Sequence, residues 1–323
     1  MSADKVIAEW EAAVREDAHS DAADPMPPPP PNADQTGSDT PSSPIHIYTP
    51  FNRNNVQRFL HYSLSQLPGA YTSLDTNRLT LMHFLVNSLD VIQDDRLFNP
   101  LKGEEIRTRV KTWICNCCIR PSAEEAGFIG GTFMGLPFNS EPVPVAVSPK
   151  PAGSIHIAMT YCGLLTLLAL NHDLATLPYM EILNGLSNLQ NTTGPLAGSF
   201  KSHHEGSESD MRFLYCAVCI DRILWKLHSH SLPYTGSKYI RPSLILQFIT
   251  NSVTYDGGIS LSPGLESHGG SYFTGLAALS LMDRVGDVFD GAGVQDAIKW
   301  GVNRQIMGMQ VSWAGGVERR GRG

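Results

Sequence analysis

Three polar residues occupy the same place in three similar stretches of the sequence. His156, Asp210 and His268 each lie five positions before an aromatic residue, which begins a three-residue pattern ending in glycine or alanine. The three patterns are Tyr161-Cys162-Gly163, Tyr215-Cys216-Ala217 and Phe273-Thr274-Gly275. Imidazole and carboxylate groups hydrogen-bond readily to ionic partners. A repeat that brings them together therefore predicts a polar binding site assembled from three elements.

Helices must position these residues, because each polar residue opens an apolar stretch. The spacing predicts helices over residues 155–170, 210–224 and 268–282. The glycine-containing turns that precede them are Gly127-Phe128, Gly198-Ser199-Phe200 and Gly257-Gly258-Ile259. Side by side in a ring, such helices would gather the polar groups at one end of an apolar cavity, where helix N-termini favour an anion. That arrangement suits a long hydrocarbon carrying a diphosphate, but a helical solenoid with ordinary polar caps explains the pattern as well.

The rest of the chain is also typical of helices. Apolar residues recur at helical spacing over residues 56–67 and 78–92. No run of alternating strands and no β-α-β rhythm occurs in the sequence. The sequence therefore predicts an all-α fold.

Residues 1–48 differ in composition from the remainder. The first 44 residues carry nine acidic and two basic side chains and include the proline run 27–31. Such a segment buries too little apolar surface to order itself, so we predict a disordered, acidic, proline-rich tail. The proline run would also suit an SH3 or WW module. The remaining residues carry 22 acids and 22 bases, and a neutral body argues against nucleic-acid binding.

No apolar stretch is long enough to span a membrane, and the first residues are not typical of a secretory signal. We therefore expect a cytoplasmic protein whose six cysteines do not form a disulfide framework. Cys115, Cys117 and Cys118 lack the paired Cys-x-x-Cys spacing of a zinc site. Buried or half-buried thiols on a helix fit them better.

Longer motifs carry a resemblance to a known family. Residues 264–271 are Gly-Leu-Glu-Ser-His-Gly-Gly-Ser, residues 206–213 are Gly-Ser-Glu-Ser-Asp-Met-Arg-Phe, and residues 156–161 are His-Ile-Ala-Met-Thr-Tyr. In this order they resemble the β subunits of protein prenyltransferases, most closely those of the geranylgeranyltransferases of type I. The resemblance covers residues 51–310, with extra residues at 226–239. It implies an α/α toroid over residues 49–310, in which two concentric rings of helices surround an apolar funnel.

The resemblance also implies an activity and partners. Such a β subunit pairs with a prenyltransferase α subunit to form a heterodimer. The enzyme moves geranylgeranyl from geranylgeranyl diphosphate to a cysteine of small GTPases and related proteins. That cysteine belongs to a C-terminal Cys-aliphatic-aliphatic-Leu box, and in the family a zinc ion holds it as thiolate.

Five residues match the family's lipid diphosphate site: His268, Gly269, Gly270, Thr80 and Phe84. The histidine would donate a hydrogen bond to the diphosphate, and the two glycines would let the substrate approach closely. A helix-capping role is the alternative for His268. Thr80 stands where farnesyltransferases carry a tryptophan and shares a helical face with Phe84, so it would leave room for a twenty-carbon chain.

Four further residues match the part of the family's cavity near the peptide substrate: His156, Ala158, Tyr161 and Arg212. The guanidinium of Arg212 suits a peptide carbonyl or carboxylate. Two alternatives stay open. Arg212 would otherwise form an ordinary salt bridge with Glu208 or Asp210, and His156 would otherwise be a packed core histidine.

The sequence departs from the family near residue 310. There the family continues with an arginine, a lysine, the zinc ligands Asp-x-Cys and a later histidine, whereas residues 311–323 form an unrelated Gly/Arg-rich tail. We therefore expect a toroid that is incomplete at its C-terminus, a chain without metal ligands, and no prenyl transfer. A truncated gene model or a splice form would explain this tail.

Three other interpretations remain open. The first is a non-catalytic fragment that binds the α subunit, and the second is a farnesyltransferase β subunit. The third is a terpene cyclase, which shares the toroid. Asp90, Asp94 and Asp95 do not have the aspartate spacing of a cyclase. They are better explained as a solvated helix end.

Overall fold

The structure is a computed structural model that describes residues 52–100, 102–132, 155–206, 208–228 and 238–304. Within these ranges regular structure is almost entirely helical, so the predicted all-α fold is confirmed. None of the helices in this part of the chain has the length and apolar character needed to cross a membrane. The predicted tails, 1–48 and 311–323, lie outside the described residues.

The helices predicted from the spacing are all present, with slightly different ends. The α-helices are α1 (Arg53–Ser65), α2 (Arg78–Val91), α3 (Asp95–Phe98), α4 (Glu104–Asn116), α5 (Ile157–Ala169), α6 (Tyr179–Asn188), α7 (Met211–His228), α8 (Pro242–Ser252), α9 (Gly269–Leu281) and α10 (Gly291–Val302). Two antiparallel pairs join β1 (Cys118–Ile119) to β2 (Gly127–Phe128) and β3 (Phe200–Lys201) to β4 (Ser209–Asp210). Short 3₁₀ helices lie at Gly69–Asn77, Leu174–Thr176 and Val285–Asp287.

Four of the helices pack side by side in chain order. Helix α2 contacts α5, α5 contacts α7, and α7 contacts α9; these four are called the inner row below. Their apolar residues enter one hydrophobic core, to which α2 contributes the fully buried Leu79, Val86 and Leu89. Burying such side chains supplies the main favourable free energy of folding. The other long helices alternate with the inner row along the chain.

A glycine inside two of the inner helices allows the preceding turn to pack against it. A β-carbon on Gly163 would lie 2.7 Å from the ring of Phe128, and one on Gly275 would lie 3.0 Å from Ile259. Both turn residues are fully buried. The small residue of the repeat is therefore required by close packing, because protein interiors leave no room for an added methyl group.

Backbone hydrogen bonds join the beginnings of neighbouring inner helices. In each bond the donor is the first or second residue of one inner helix. The acceptor is a carbonyl in the turn before the next inner helix, two positions after the apolar turn residue Phe128, Phe200 or Ile259. The pairs are Leu79 N with Gly130 O at 2.9 Å, Ile157 N with Ser202 O at 2.9 Å, and Met211 N with Leu261 O at 3.0 Å. They satisfy amide groups that a helix N-terminus leaves free. Because the bonds form one series, the four inner helices begin at the same end of the row.

The three cysteines at the end of α4 and directly after it are buried or half-buried, as predicted, but only Cys115 lies on the helix. Cys117 and Cys118 are buried and Cys115 is half-buried. Burial raises the pKa of all three thiols, that of Cys118 to about 12. Thiols in such surroundings are inert at neutral pH.

Candidate functional site

The three polar residues of the repeat cap inner helices. His156, Asp210 and His268 directly precede α5, α7 and α9, and each side chain accepts a hydrogen bond from the backbone N–H two residues further on. The donors are Ala158 at 3.1 Å, Arg212 at 2.9 Å and Gly270 at 3.0 Å. Such caps stabilise a helix by about 1 kcal/mol.

The backbone of each capping residue also pairs with the apolar turn residue of its own repeat. His156 N donates to Phe128 O at 3.0 Å, Asp210 pairs with Phe200 across β3 and β4, and His268 N donates to Ile259 O at 3.3 Å. Since the inner helices begin at one end of the row, the three polar side chains share that end. The prediction that the three residues lie at the beginnings of neighbouring helices is confirmed.

His268 combines a structural contact with an available donor. Its Nδ1 atom accepts from Gly270, so the neutral ring carries its proton on Nε2. The side chain is exposed, and that N–H is suited to an anionic oxygen. A β-carbon on Gly270 would lie 3.2 Å from Nδ1, so a larger residue would crowd the ring. The capping alternative is confirmed, and the diphosphate role remains a prediction that this geometry permits.

Arg212 is held by two carboxylates. Its Nε and Nη2 atoms donate to Asp210 at 3.1 and 2.6 Å, and Nη2 also donates to Glu208. The hydrogen bond to Asp210 is the main reason that the pKa of Arg212 is raised. The predicted ordinary salt bridge is therefore present. The side chain is still 52% exposed, which leaves its outer edge open to a ligand.

His156 lies in an aromatic and half-buried setting. Its ring stacks on His203 with centroids 5.8 Å apart and meets Phe213 edge-on at 6.0 Å. Burial, and then the neighbouring His203, lower the pKa of His156 to about 4. This histidine is therefore neutral at pH 7, and its free N–H suits an uncharged carbonyl. The ring packs against its neighbours and caps α5, and it is also partly accessible. The geometry therefore fits both a core histidine and a residue that contacts a peptide substrate.

One ring from each inner helix forms a continuous aromatic row. The rings belong to His83, Tyr161, Tyr215 and Phe273, with successive centroids 6.0, 5.7 and 5.7 Å apart. These spacings are those of favourable aromatic pairs. Phe273 is 60% exposed at the end of the row. Burial raises the pKa of Tyr161 to about 12, so its hydroxyl stays neutral and the row is an uncharged surface.

Thr80 and Phe84 lie next to this row on α2. The Thr80 hydroxyl donates to the sulfur of Met159 at 3.4 Å, and the Cys162 thiol approaches the hydroxyl at 3.9 Å. Phe84 is 60% exposed although it is a large apolar residue. An exposed aromatic beside an aromatic row indicates an apolar binding surface. Ala158 on α5 is half-buried within the same core.

Sequence reasoning overlooked some residues of this surface. Tyr215 and Phe273 occupy the same repeat position as Tyr161, so the alignment itself contained the signal that they line the cavity. Phe213 had no such signal. His83 lacks one too, and its buried ring bonds to Thr166 at 3.1 Å.

Zinc, which the resemblance implies, finds no ligand set in the part of the chain that the structure describes. No three His, Cys, Asp or Glu side chains there lie close enough together to hold a metal ion. The thiols that could have contributed are buried, and burial raises the pKa of Cys162 to about 11. These residues do not fit a zinc site.

A comparison with protein families decides where the chain belongs. The model of the prenyltransferase alpha-alpha toroid domain matches residues 51–319. The chain belongs to the prenyltransferase alpha-alpha toroid family. The predicted α/α toroid is confirmed.

The chain is also similar to prenyltransferase subunits from other organisms. The chain is 33% identical over 241 residues to the geranylgeranyl transferase type-1 subunit beta of Arabidopsis thaliana, which covers 73% of this chain and 58% of that relative. It is 26% identical to the protein farnesyltransferase subunit beta of the same plant, over 81% of this chain and 45% of the relative. The chain thus spans roughly half the length of these relatives.

A solved structure shares the fold. It is the Candida albicans protein geranylgeranyltransferase-I complexed with GGPP, with a TM-score of 0.61 and 21% identity, covering 78% of this chain and 64% of that one. At this identity the likeness shows the fold alone.

Proposed function

We propose that the protein is the β subunit of a protein geranylgeranyltransferase of type I. In this proposal the lipid chain of geranylgeranyl diphosphate lies along the aromatic row, and its diphosphate lies at the capped helix ends near His268. The observation that carries the proposal is the aromatic row itself, which begins on α2 and continues across three helices whose capped N-termini share one end.

The energetics of this arrangement favour a long lipid. Each methylene removed from water is worth about 0.8 kcal/mol, so a twenty-carbon chain gains more than a fifteen-carbon chain where space allows. At the other end, His268 donates through Nε2, and Gly269 and Gly270 carry no side chains that would keep a phosphate oxygen away from the start of α9.

The peptide substrate would meet a different set of groups. His156 is neutral because its pKa is about 4, and Arg212 carries a permanent charge with one exposed edge. A neutral N–H and a guanidinium suit a peptide carbonyl and a terminal carboxylate respectively. Ala158 and Tyr161 would form the apolar wall against the aliphatic residues of the Cys-aliphatic-aliphatic-Leu box.

Thr80 supports geranylgeranyl over farnesyl. Thr80 contacts Met159 and Cys162 and lies one helical turn from the exposed Phe84, and a threonine takes up less room there than a tryptophan would. A farnesyltransferase β subunit is the second candidate, because the chain is also similar to several of these.

Catalysis by the 323 residues alone is a separate part of the proposal. In water a free thiol has a pKa of about 8.5 and is mostly protonated at neutral pH. Transfer therefore needs a group that makes the substrate cysteine a thiolate, such as a metal ion, and the described residues contain no cluster of side chains that could hold one. We expect this chain to bind an α subunit and the lipid diphosphate without transferring the lipid.

The test is to co-express the chain with a prenyltransferase α subunit and to measure lipid binding, peptide prenylation and zinc content on the purified heterodimer. Tighter binding of geranylgeranyl diphosphate than of farnesyl diphosphate would support the proposal. Tighter binding of farnesyl diphosphate would favour the second candidate, and binding of neither would refute both. Prenylated peptide, or about one zinc per heterodimer, would contradict the non-catalytic part.

A further inference from the structure

A network of hydrogen bonds surrounds the residue that precedes His268. The Ser267 hydroxyl donates to the Asp256 carboxylate at 3.2 Å, and the indole N–H of Trp300 donates to Asp256 at 3.0 Å and to Ser267 at 3.1 Å. Ser267 and Trp300 are each only 3% exposed. The network therefore joins the turn before α9 to the outer helix α10.

Asp256 is the acceptor on which this network depends. It also accepts from the Thr254 hydroxyl at 2.5 Å, from the Gly258 amide at 3.4 Å and from Arg304 at 3.3 Å. Burial alone would raise the pKa of Asp256, but the hydrogen bonds from Thr254, Gly258, Trp300 and Ser267 outweigh it, and the pKa is lowered. The carboxylate is thus ionised at neutral pH, when it accepts most strongly.

Steric contacts keep this turn in one position. A β-carbon on Gly258 would lie 2.5 Å from both the Ser267 β-carbon and the Trp300 indole nitrogen. Gly257 has a φ of +86°, in the left-handed region that favours glycine. The turn therefore packs directly on Ser267 and on the indole of Trp300.

The backbone N–H of His268 makes a longer bond to its turn than that of His156 does. Its N–H lies 3.3 Å from Ile259 O, whereas the equivalent bond of His156 is 3.0 Å. Ser267, the residue before it, also pairs with Ser260 in an isolated bridge. The carbonyl of His268 accepts from Tyr272 N at 2.8 Å and from the Ser271 hydroxyl at 2.9 Å. The backbone on the N-terminal side of His268 is therefore placed through Ser267, while the bond from Gly270 orients the ring.

We propose that Asp256 is a positioning residue for diphosphate binding. By holding Ser267 against Trp300, it fixes the backbone from which His268 points its N–H at the lipid diphosphate. This inference rests on the proposed function of the site. It assigns Asp256, which touches no substrate, the task of preorganising a donor, and a displaced donor loses most of its value to an anion.

The substitution Asp256→Asn tests this directly. An asparagine oxygen replaces two carboxylate acceptors, and its NH₂ group cannot accept from Ser267 or Trp300. In the heterodimer of the full chain with an α subunit, we expect geranylgeranyl diphosphate to bind roughly tenfold more weakly, which is the effect of one misplaced hydrogen bond. Binding of geranylgeraniol, which has the same hydrocarbon and no diphosphate, should change by less than about twofold.

The matched control is Asp290→Asn. Asp290 is also an acidic cap, accepting from Gly293 at 3.1 Å at the start of α10, and it has no contact with the network. It should leave the affinities for both lipids unchanged. Equal weakening of both lipids by Asp256→Asn would show a merely structural role and overturn the inference, as would no change in either. If the unsubstituted heterodimer does not prefer the diphosphate to the alcohol, the proposed function itself fails.

A second variant protects the test against misfolding. Trp300→Phe removes the indole donor but keeps an aromatic ring against Tyr272, whose centroid lies 4.6 Å from that of Trp300. It should cause the same selective loss of diphosphate affinity.

Imidazole ¹⁵N NMR gives a readout without ligand: Asp256→Asn should weaken the preference of His268 for the proton on Nε2. An unchanged His268 spectrum in both variants would refute the positioning role.

Discussion

The rings of Tyr161 and Tyr215 lie with their centroids 5.7 Å apart and their planes at 60°, one on α5 and the other on α7. The two tyrosines occupy the same position of the sequence repeat. Neighbouring inner helices begin at the same end of the row, so equal repeat positions lie side by side along it. A periodic sequence thus becomes a continuous surface, and this surface makes specific predictions.

The size of the side chain at position 80 should determine which lipid length the protein prefers. Replacing Thr80 by Trp fills the space beside Phe84, so affinity for geranylgeranyl diphosphate should fall at least about tenfold, while that for farnesyl diphosphate should hold or rise. Competition binding with both lipids measures the ratio. Thr108→Trp on the exposed face of α4 is the control. If the ratio of the two lipid affinities is unchanged in the Thr80 variant, this residue does not select the length of the lipid.

The two tasks of His268 can be separated by two substitutions. Asn at this position keeps a capping acceptor for Gly270 but has no donor where Nε2 stood, whereas Ala removes both. We expect His268→Asn to weaken diphosphate binding roughly tenfold with little change in stability. His268→Ala should also lower the free energy of unfolding by about 1 kcal/mol. If the Asn variant binds diphosphate as tightly as the parent, the histidine is only a cap.

Gly163→Ala should destabilise the protein even though alanine favours helices. Helix propensity alone would stabilise by about 1 kcal/mol. The new methyl group would meet the ring of Phe128 at 2.7 Å, however, and overpacking costs about 1–3 kcal/mol. Urea denaturation should therefore show a net loss of about 1 kcal/mol. Gly291→Ala, where the added carbon has nothing within 4 Å, is the control, and a stabilised Gly163 variant would contradict the packing argument.

Acid should destabilise the protein through His156. Burial lowers its folded-state pKa from 6.5 to about 4, so between these values the unfolded chain binds more protons than the folded one. Stability therefore falls as the pH is lowered from 6.5 towards 4, by at most about 3 kcal/mol from this group. His156→Asn keeps a cap and removes the titration. Urea unfolding between pH 7 and 5 should give a shallower pH slope for the variant, and equal slopes would assign the effect elsewhere.

Local pattern predicted a large part of this site. Helix spacing predicted the inner helices, and the repeat placed His156, Asp210 and His268 at their beginnings, because capping is a short-range property of sequence. The need for Gly163 was also visible as a small residue at a fixed repeat position.

Contacts between distant parts of the chain could not be predicted in this way. Asp256 lies beside two glycines and would be assigned to a turn, yet its partners Trp300 and Arg304 lie 44 and 48 positions further along the chain. The position of His83 in the aromatic row depends likewise on how α2 packs against α5. Such contacts follow from packing between elements, which residue spacing within one element does not contain.

The backbone bonds that join the beginnings of the inner helices also bear on how the protein is made. Each of them connects residues about fifty positions apart and from adjacent repeats. During synthesis, the acceptor for one helix therefore leaves the ribosome soon after that helix, and repeats can dock one after another from the N-terminal side. A ribosome paused between two repeats would hold a partly assembled row whose last helix still lacks its acceptor, and such a nascent chain would be a natural client for chaperones.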